Sequence, residues 1–179
     1  MTDNALALFI HRTRASWGPL SSDLVASCRL HLERLAKAHA AEPWLAALHE
    51  DAPASRELYR DAEHGFVLQA HTEQAGLYRP PHDHGRGWVI YALQRGEIAM
   101  STYARVETGA GIQLVKRDET LLRAGQAQLF LPGDIHDTRC VAGPALLFRF
   151  TERDLKQEDQ VARRVTRYVE RNGAWTVGT

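Results

Sequence analysis

Beyond Pro53 the chain is cut repeatedly by Gly, Pro and Asp, and the pieces between the cuts are short runs rich in β-branched, aromatic and aliphatic residues. Runs of that length bounded by turn residues read as antiparallel strands. The runs are 65–72, 88–94, 97–106, 112–116, 119–123, 127–131, 137–141 and 145–150. Eight short strands close best as a barrel or a sandwich, so the expected fold is mainly β. Thr108-Gly109-Ala110-Gly111 and Arg171-Asn172-Gly173 are turn signals, and the second predicts a terminal hairpin between 165–170 and 174–177.

The first fifty residues have a different texture. Leu24, Val25, Cys28, Leu32 and Leu35 recur at spacings of three and four, which predicts an amphipathic helix over 22–41 behind Pro19, Ser21 and Ser22. Pro43 opens a second, shorter helix to about residue 49, with Trp44, Leu45 and Leu48 on one side. No repeat or linker interrupts the rest, and 179 residues suit one domain, a helical segment over 1–50 followed by a β-barrel over 51–179.

Lys plus Arg equals Asp plus Glu at 22 each, so no net charge draws a polyanion, and nucleic acid or a membrane surface is not expected as a partner. The apolar run near the N-terminus is broken by His11 and Arg12, too early for a membrane span or a secretory signal, and the expected location is cytoplasmic. Cys28 and Cys140 lack the spacing of a thiolate zinc site or a disulfide framework and read as reduced thiols.

Among the nine histidines, His82 and His84 flank Asp83 directly after Pro80-Pro81. Residues two apart on a strand share a face, so both imidazoles can meet one atom while Asp83 turns away. Downstream, Pro132-Gly133-Asp134-Ile135-His136 reads as a tight turn that aims His136 from the start of another strand. Three neutral nitrogen ligands would leave a metal ion with open positions, the arrangement of a catalytic site.

Pro81-His82-Asp83-His84, Gly96 and Pro132-Gly133-Asp134-Ile135-His136 resemble the two motifs of the cupin superfamily. Within it, residues 56–150 are most similar to the thiol dioxygenases typified by cysteine dioxygenase. The resemblance implies a double-stranded β-helix barrel, jelly-roll-like, preceded by N-terminal helices. It also implies Fe(2+) held by His82, His84 and His136, with dioxygen and a small thiol carboxylate as substrates. Imidazole ligands suit Zn(2+), Ni(2+) or Cu(2+) equally. Where the older cupin pattern has a glutamate ligand this chain has Val89, so the ion would stay net positive and favour an anionic chelating substrate.

By the same resemblance Arg56 falls at the position that binds the substrate carboxylate, with Arg60 as a substitute. The family's cross-link cysteine is replaced by Val89, and its Ser-His-Tyr relay by Arg149, Thr151 and Arg153, which puts cysteine itself in doubt as substrate. Arg149 is a second candidate anion binder, although an arginine on an amphipathic strand more often faces water. Tyr91 and Tyr103 could bring a hydroxyl to substrate or oxygen, against an ordinary role in the core. Trp88, after Gly85-Arg86-Gly87, is the expected wall of the pocket. His64 and His71 have no turn to aim them and read as solvated or supporting residues; His11, His31, His39 and His49 lie in the helical segment and read as surface residues. The rival functions are a three-histidine cupin that cleaves a dicarbonyl or uses zinc as a Lewis acid, and a metal- or ligand-binding cupin without turnover. The expected state is a monomer or homodimer.

Overall fold

The computed structural model describes residues 4–109, 111–171 and 173–178. Three helices come first: α1 (Ala5–Ser16), α2 (Ser22–Ala36) and α3 (Pro43–Asp51). Asn4 caps α1 by accepting from the Ala7 N–H at 2.8 Å, and Ser21 caps α2 by accepting from Leu24 at 3.2 Å. Helix α2 stops earlier than the predicted residue 41. Its apolar stripe ends at Leu35 and Ala36, and the chain turns so that the Glu42 carboxylate accepts from the Ala5 N–H at 2.8 Å and the Trp44 indole at 2.7 Å.

Among the described residues nine strands follow: β1 (Arg56–Arg60), β2 (Val67–Glu73), β3 (Tyr78–His82), β4 (Val89–Thr108), β5 (Gly111–Arg123), β6 (Ala127–Phe130), β7 (Ile135–Thr151), β8 (Tyr168–Arg171) and β9 (Ala174–Val177). Every strand pair is antiparallel. The expected mainly β barrel behind N-terminal helices is therefore what the chain forms. Three pairs of predicted runs are single long strands instead. In β4 the break expected near Gly96 is a bend: Gly96 sits at φ 90°, and the register with β7 shifts on either side of it. Glycine at positive φ lets a strand swerve without leaving the ladder.

The bends divide β4 and β7 between two layers. Their Val89–Leu93 and Ala145–Thr151 portions pair with each other, with β2 and β6, and through β2 with β1. The Ile98–Tyr103 and Ile135–Cys140 portions pair with each other and with β3 and β5. Neither β1 nor β3 was expected as a strand. β1 is polar because it is an edge, and β3 carries Pro80 and Pro81, which an edge strand tolerates because half its N–H groups have no ladder partner. The predicted hairpin is β8 with β9; Asn172 of its turn lies outside the described residues, as does Ala110 of the β4–β5 turn.

Alternation on the first layer separates two apolar clusters. Leu68, Ala70, Ile90, Ala92, Leu146, Phe148 and Phe150 face the helices and pack with Phe9, Cys28, Leu32, Leu35, Leu45 and Leu48. The intervening Val89, Tyr91, Leu93 and Leu147 face the other layer, with Ile98, Met100, Leu122, Phe130 and Cys140. Both cysteines are buried and unpaired with each other. No helix among the described residues is long and apolar enough to cross a membrane.

Candidate metal centre

The Pro132-Gly133-Asp134 turn works as its residue types dictate. Asp134 folds back so that its carboxylate accepts from the Leu131 N–H at 2.7 Å while its own N–H donates to the Leu131 carbonyl at 3.0 Å, with Gly133 at φ 88°. The turn delivers His136 as the second residue of β7, in register with His82 on β3 and Thr102 on β4. His84 lies just past β3. Asp83 turns away as expected: its carboxylate accepts from the N–H groups of Gly85 at 3.0 Å and Thr166 at 2.9 Å.

One ring nitrogen from each of His82, His84 and His136 lies within 4.8 Å of the others, a group that could hold a metal ion. Nε2 of His84 and Nε2 of His136 are 3.4 Å apart. Two nitrogens on a common ion at roughly 2.0–2.1 Å stand about 3.0–3.4 Å apart at right-angled to tetrahedral geometry, so the separation suits shared coordination. His82 Nδ1 is 2.9 Å from the Pro80 carbonyl. A carbonyl only accepts, so the proton belongs on Nδ1 and Nε2 keeps its lone pair for a ligand role. The His136 ring lies flat on Phe130, centroids 3.8 Å apart at 18°, which fixes its plane.

Burial is the main reason all three imidazoles hold a proton poorly. His84 and His136 are pushed well below the ordinary histidine range, first by desolvation and then by His82; Arg149 adds to the effect on His84, and His84 to that on His136. His82 is lowered by the same burial, with Arg167 and Arg149 contributing. Neutral imidazole is the form a metal needs. Among the described residues the cluster consists of these three histidines.

The cluster borders a cavity of about 590 Å³, within the size range of small-molecule sites. Tyr91 lines it, its hydroxyl 3.2 Å from His84 Nε2. Arg149 also lines it, facing inward rather than to water: it stands between Phe148 and Phe150, both buried against the helices, and alternation sends it the other way. Its guanidinium donates to the Gln69 side chain. His71, from β2, is another lining residue, with Nδ1 3.2 Å from the Ala54 carbonyl.

Four predicted residues fall elsewhere. Trp88 is fully buried but on the helix side, against Trp17 and Phe150, because it is one residue out of phase with Val89 and Tyr91; it is core and not a wall of the cavity. Arg56 is half-exposed on the edge strand β1, pairs with Asp51 at 2.9 Å, and is absent from the cavity lining; Ala54 and Ser55 are there instead. Arg60 pairs with Glu57 and Asp154 at 2.7 Å each. Tyr103 donates to Asp137 at 2.6 Å beside Tyr78 and does not line the cavity.

Part of the wall was missed altogether. Residues 155–169 cross one side of the cavity and contribute Leu155, Arg167, Tyr168 and Val169. A π-helical turn (Gln157–Val161) within this segment is anchored by the buried Glu158, which pairs with Arg153 at 3.2 Å and Arg86 at 3.7 Å. Thr166 clasps Asp83 from both sides, its N–H on the carboxylate and its carbonyl on the Asp83 N–H at 3.0 Å. The only signal in the sequence is that Gly85 cannot hold a side chain here: at φ 63°, a Cβ would stand 2.9 Å from a Glu158 oxygen and 3.1 Å from Arg164 Cβ.

No family model and no curated protein matches this chain. Among solved structures, KdgF from Halomonas sp. is similar at 13% identity and a TM-score of 0.43, over 54% of this chain and 74% of that one. The Schizosaccharomyces pombe Cnp3 cupin domain is similar at 12% identity and a TM-score of 0.44, over 59% and 69%. Hydroquinone 1,2-dioxygenase PnpCD, solved with Cd2+ and 4-hydroxybenzonitrile, is similar at 14% identity and a TM-score of 0.45, over 60% and 69%. At these values the likenesses carry no inference about activity.

Proposed function

We propose that this chain is a metal-dependent enzyme, a non-haem iron dioxygenase resembling the thiol dioxygenases, acting on a small anionic molecule that chelates the ion. One observation carries the reading: three neutral imidazoles converge, without a carboxylate, on the wall of a cavity of about 590 Å³. Bound there, Fe(2+) would keep its full positive charge and open positions, and would supply the redox chemistry between dioxygen and an anionic donor.

The chain's own contribution is orientation and exclusion of water. The Pro80 carbonyl sets the His82 tautomer and Phe130 sets the His136 plane. Tyr91 holds a hydroxyl proton beside His84, and burial keeps that hydroxyl neutral by raising its pKa. Leu147, Leu155 and Tyr168 line the cavity with apolar surface. The same donor set suits zinc, which would make the ion a Lewis acid instead.

The test is metal analysis of the protein from its own host, followed by oxygen uptake with a panel of thiol carboxylates. Stoichiometric iron with substrate-dependent uptake is expected. Zinc without uptake would replace the dioxygenase with the Lewis-acid reading, and a protein that retains no metal would overturn both.

A further inference from the structure

We propose that the ligand of this cavity carries a carboxylate-like oxyanion bound by Arg149 and an uncharged hydrogen-bond donor, such as a hydroxyl, bound by Nε2 of His71. The proposal rests on the metal-dependent reading for the ion's place and specifies the substrate class within it.

The first half follows from charge matching around the cavity. Arg79 is paired with Glu73 at 2.9 Å, and Arg167 with both oxygens of Asp159 at 2.6 and 2.7 Å. Asp83 is satisfied by two backbone N–H groups. Arg149 has no carboxylate partner among the described residues; it donates to the neutral Gln69 side chain, and its buried Nε has no partner. A guanidinium drawn from water without a carboxylate paired to it is costly, and a metal dication nearby makes it costlier. An oxyanion removes the cost and matches the planar fork of donors.

The second half follows from a tautomer. His71 Nδ1 faces the Ala54 carbonyl and must carry the proton, so Nε2 is an acceptor, buried and unpartnered. Burial, with Arg149 assisting, lowers the His71 pKa to about 4, which keeps that lone pair available near neutrality. In the ladder Arg149 is opposite Gln69 while His71 is opposite Leu147, so Arg149 and His71 are diagonal neighbours on the cavity face. A donor and an acceptor so placed fit two groups of one small molecule. An ammonium would meet Arg149 and the ion as a like charge, and the Glu73 carboxylate on the same face of β2 is already neutralised by Arg79, which favours an uncharged donor.

The experiment is an NMR-monitored titration of the full chain, both chelator-treated and zinc-reloaded, with propanoate, 2-hydroxypropanoate, alanine and propanamide. The hydroxy acid is expected to bind tightest and the amide weakest. Arg149→Met should weaken both plain acids roughly ten- to a hundredfold and leave the amide unchanged, with Arg149→Lys intermediate and available should the methionine variant not fold. His71→Phe or His71→Gln should remove the preference for the hydroxy acid, roughly two- to tenfold, without weakening propanoate. Wild-type carboxylate affinity in the folded Arg149 variants, or no binding to the zinc-loaded protein, overturns the oxyanion site. Equal binding of propanoate and 2-hydroxypropanoate, or tighter binding of alanine, overturns the role of His71. If the pattern persists while the protein holds no metal, the metal-dependent reading fails and the ligand site stands.

Discussion

Phe130 and His136 lie ring on ring at 3.8 Å, which holds the imidazole in the plane that brings its Nε2 to that of His84. Removing either imidazole leaves two ligands and an open face, so His84→Ala and His136→Ala should each cut metal content at least about tenfold, measured by elemental analysis of the folded protein. These residues were legible because turn chemistry announces direction: Pro, Gly and Asp say where the next side chain must go. Arg149 was half legible. The alternation Phe148-Arg149-Phe150 requires it to oppose the phenylalanines, but only the helices decide which side is core. His71 carried no signal, since what defines it is the Ala54 carbonyl across a strand edge. It also gives a stability prediction with a definite sign. Its folded pKa lies near 4 and its ordinary value at 6.5, so below 6.5 the unfolded chain takes a proton that the native one refuses. Stability of the metal-free protein should therefore be full above that value and fall as pH drops toward 4, by on the order of 2–3 kcal/mol from this group. Urea unfolding at stepped pH should show a shallower fall in His71→Gln; an unchanged slope would mean that His71 is not buried neutral.

Strands posed the opposite difficulty to residues. The apolar runs were readable, but whether two runs are separate strands or one bent strand depends on what the glycine between them touches. Gly96 decides it for β4: a Cβ there would stand 2.5 Å from the Ala142 carbonyl oxygen and 2.7 Å from Ala145 Cβ, at φ 90°. Nothing but glycine fits the crossing with β7, and continuity through it lets one strand serve both layers. Gly96→Ala should cost about 2–4 kcal/mol from backbone strain and overpacking together, read as a lowered urea midpoint with an unchanged slope. Edge strands β1 and β3 escaped because edges need little apolar surface, and prolines that argue against a central strand are harmless there.

At the scale of the molecule, helices and barrel share one apolar seam in which Trp17, Trp88, Phe66 and Phe150 interlock. The first layer thus has two independent duties, core on one face and cavity on the other. Trp88→Ala should cost about 3–5 kcal/mol by opening a void in the seam, while the fraction that remains folded keeps its metal. Loss of metal at full folding would instead place Trp88 at the cavity. The fold class and the metal ligands were written in local patterns, whereas the cavity's remaining wall was not, because 155–169 owes its place to distant partners such as Asp83 and Arg86. That wall has a bearing on the order of assembly. Thr166 meets Asp83 across 83 positions of the chain, whereas His136 meets His84 across 52, so the wall's closing contact carries the larger loop-closure cost. The histidines can therefore come into register before this wall is in place, and the wall is expected to be the later part of the site to form.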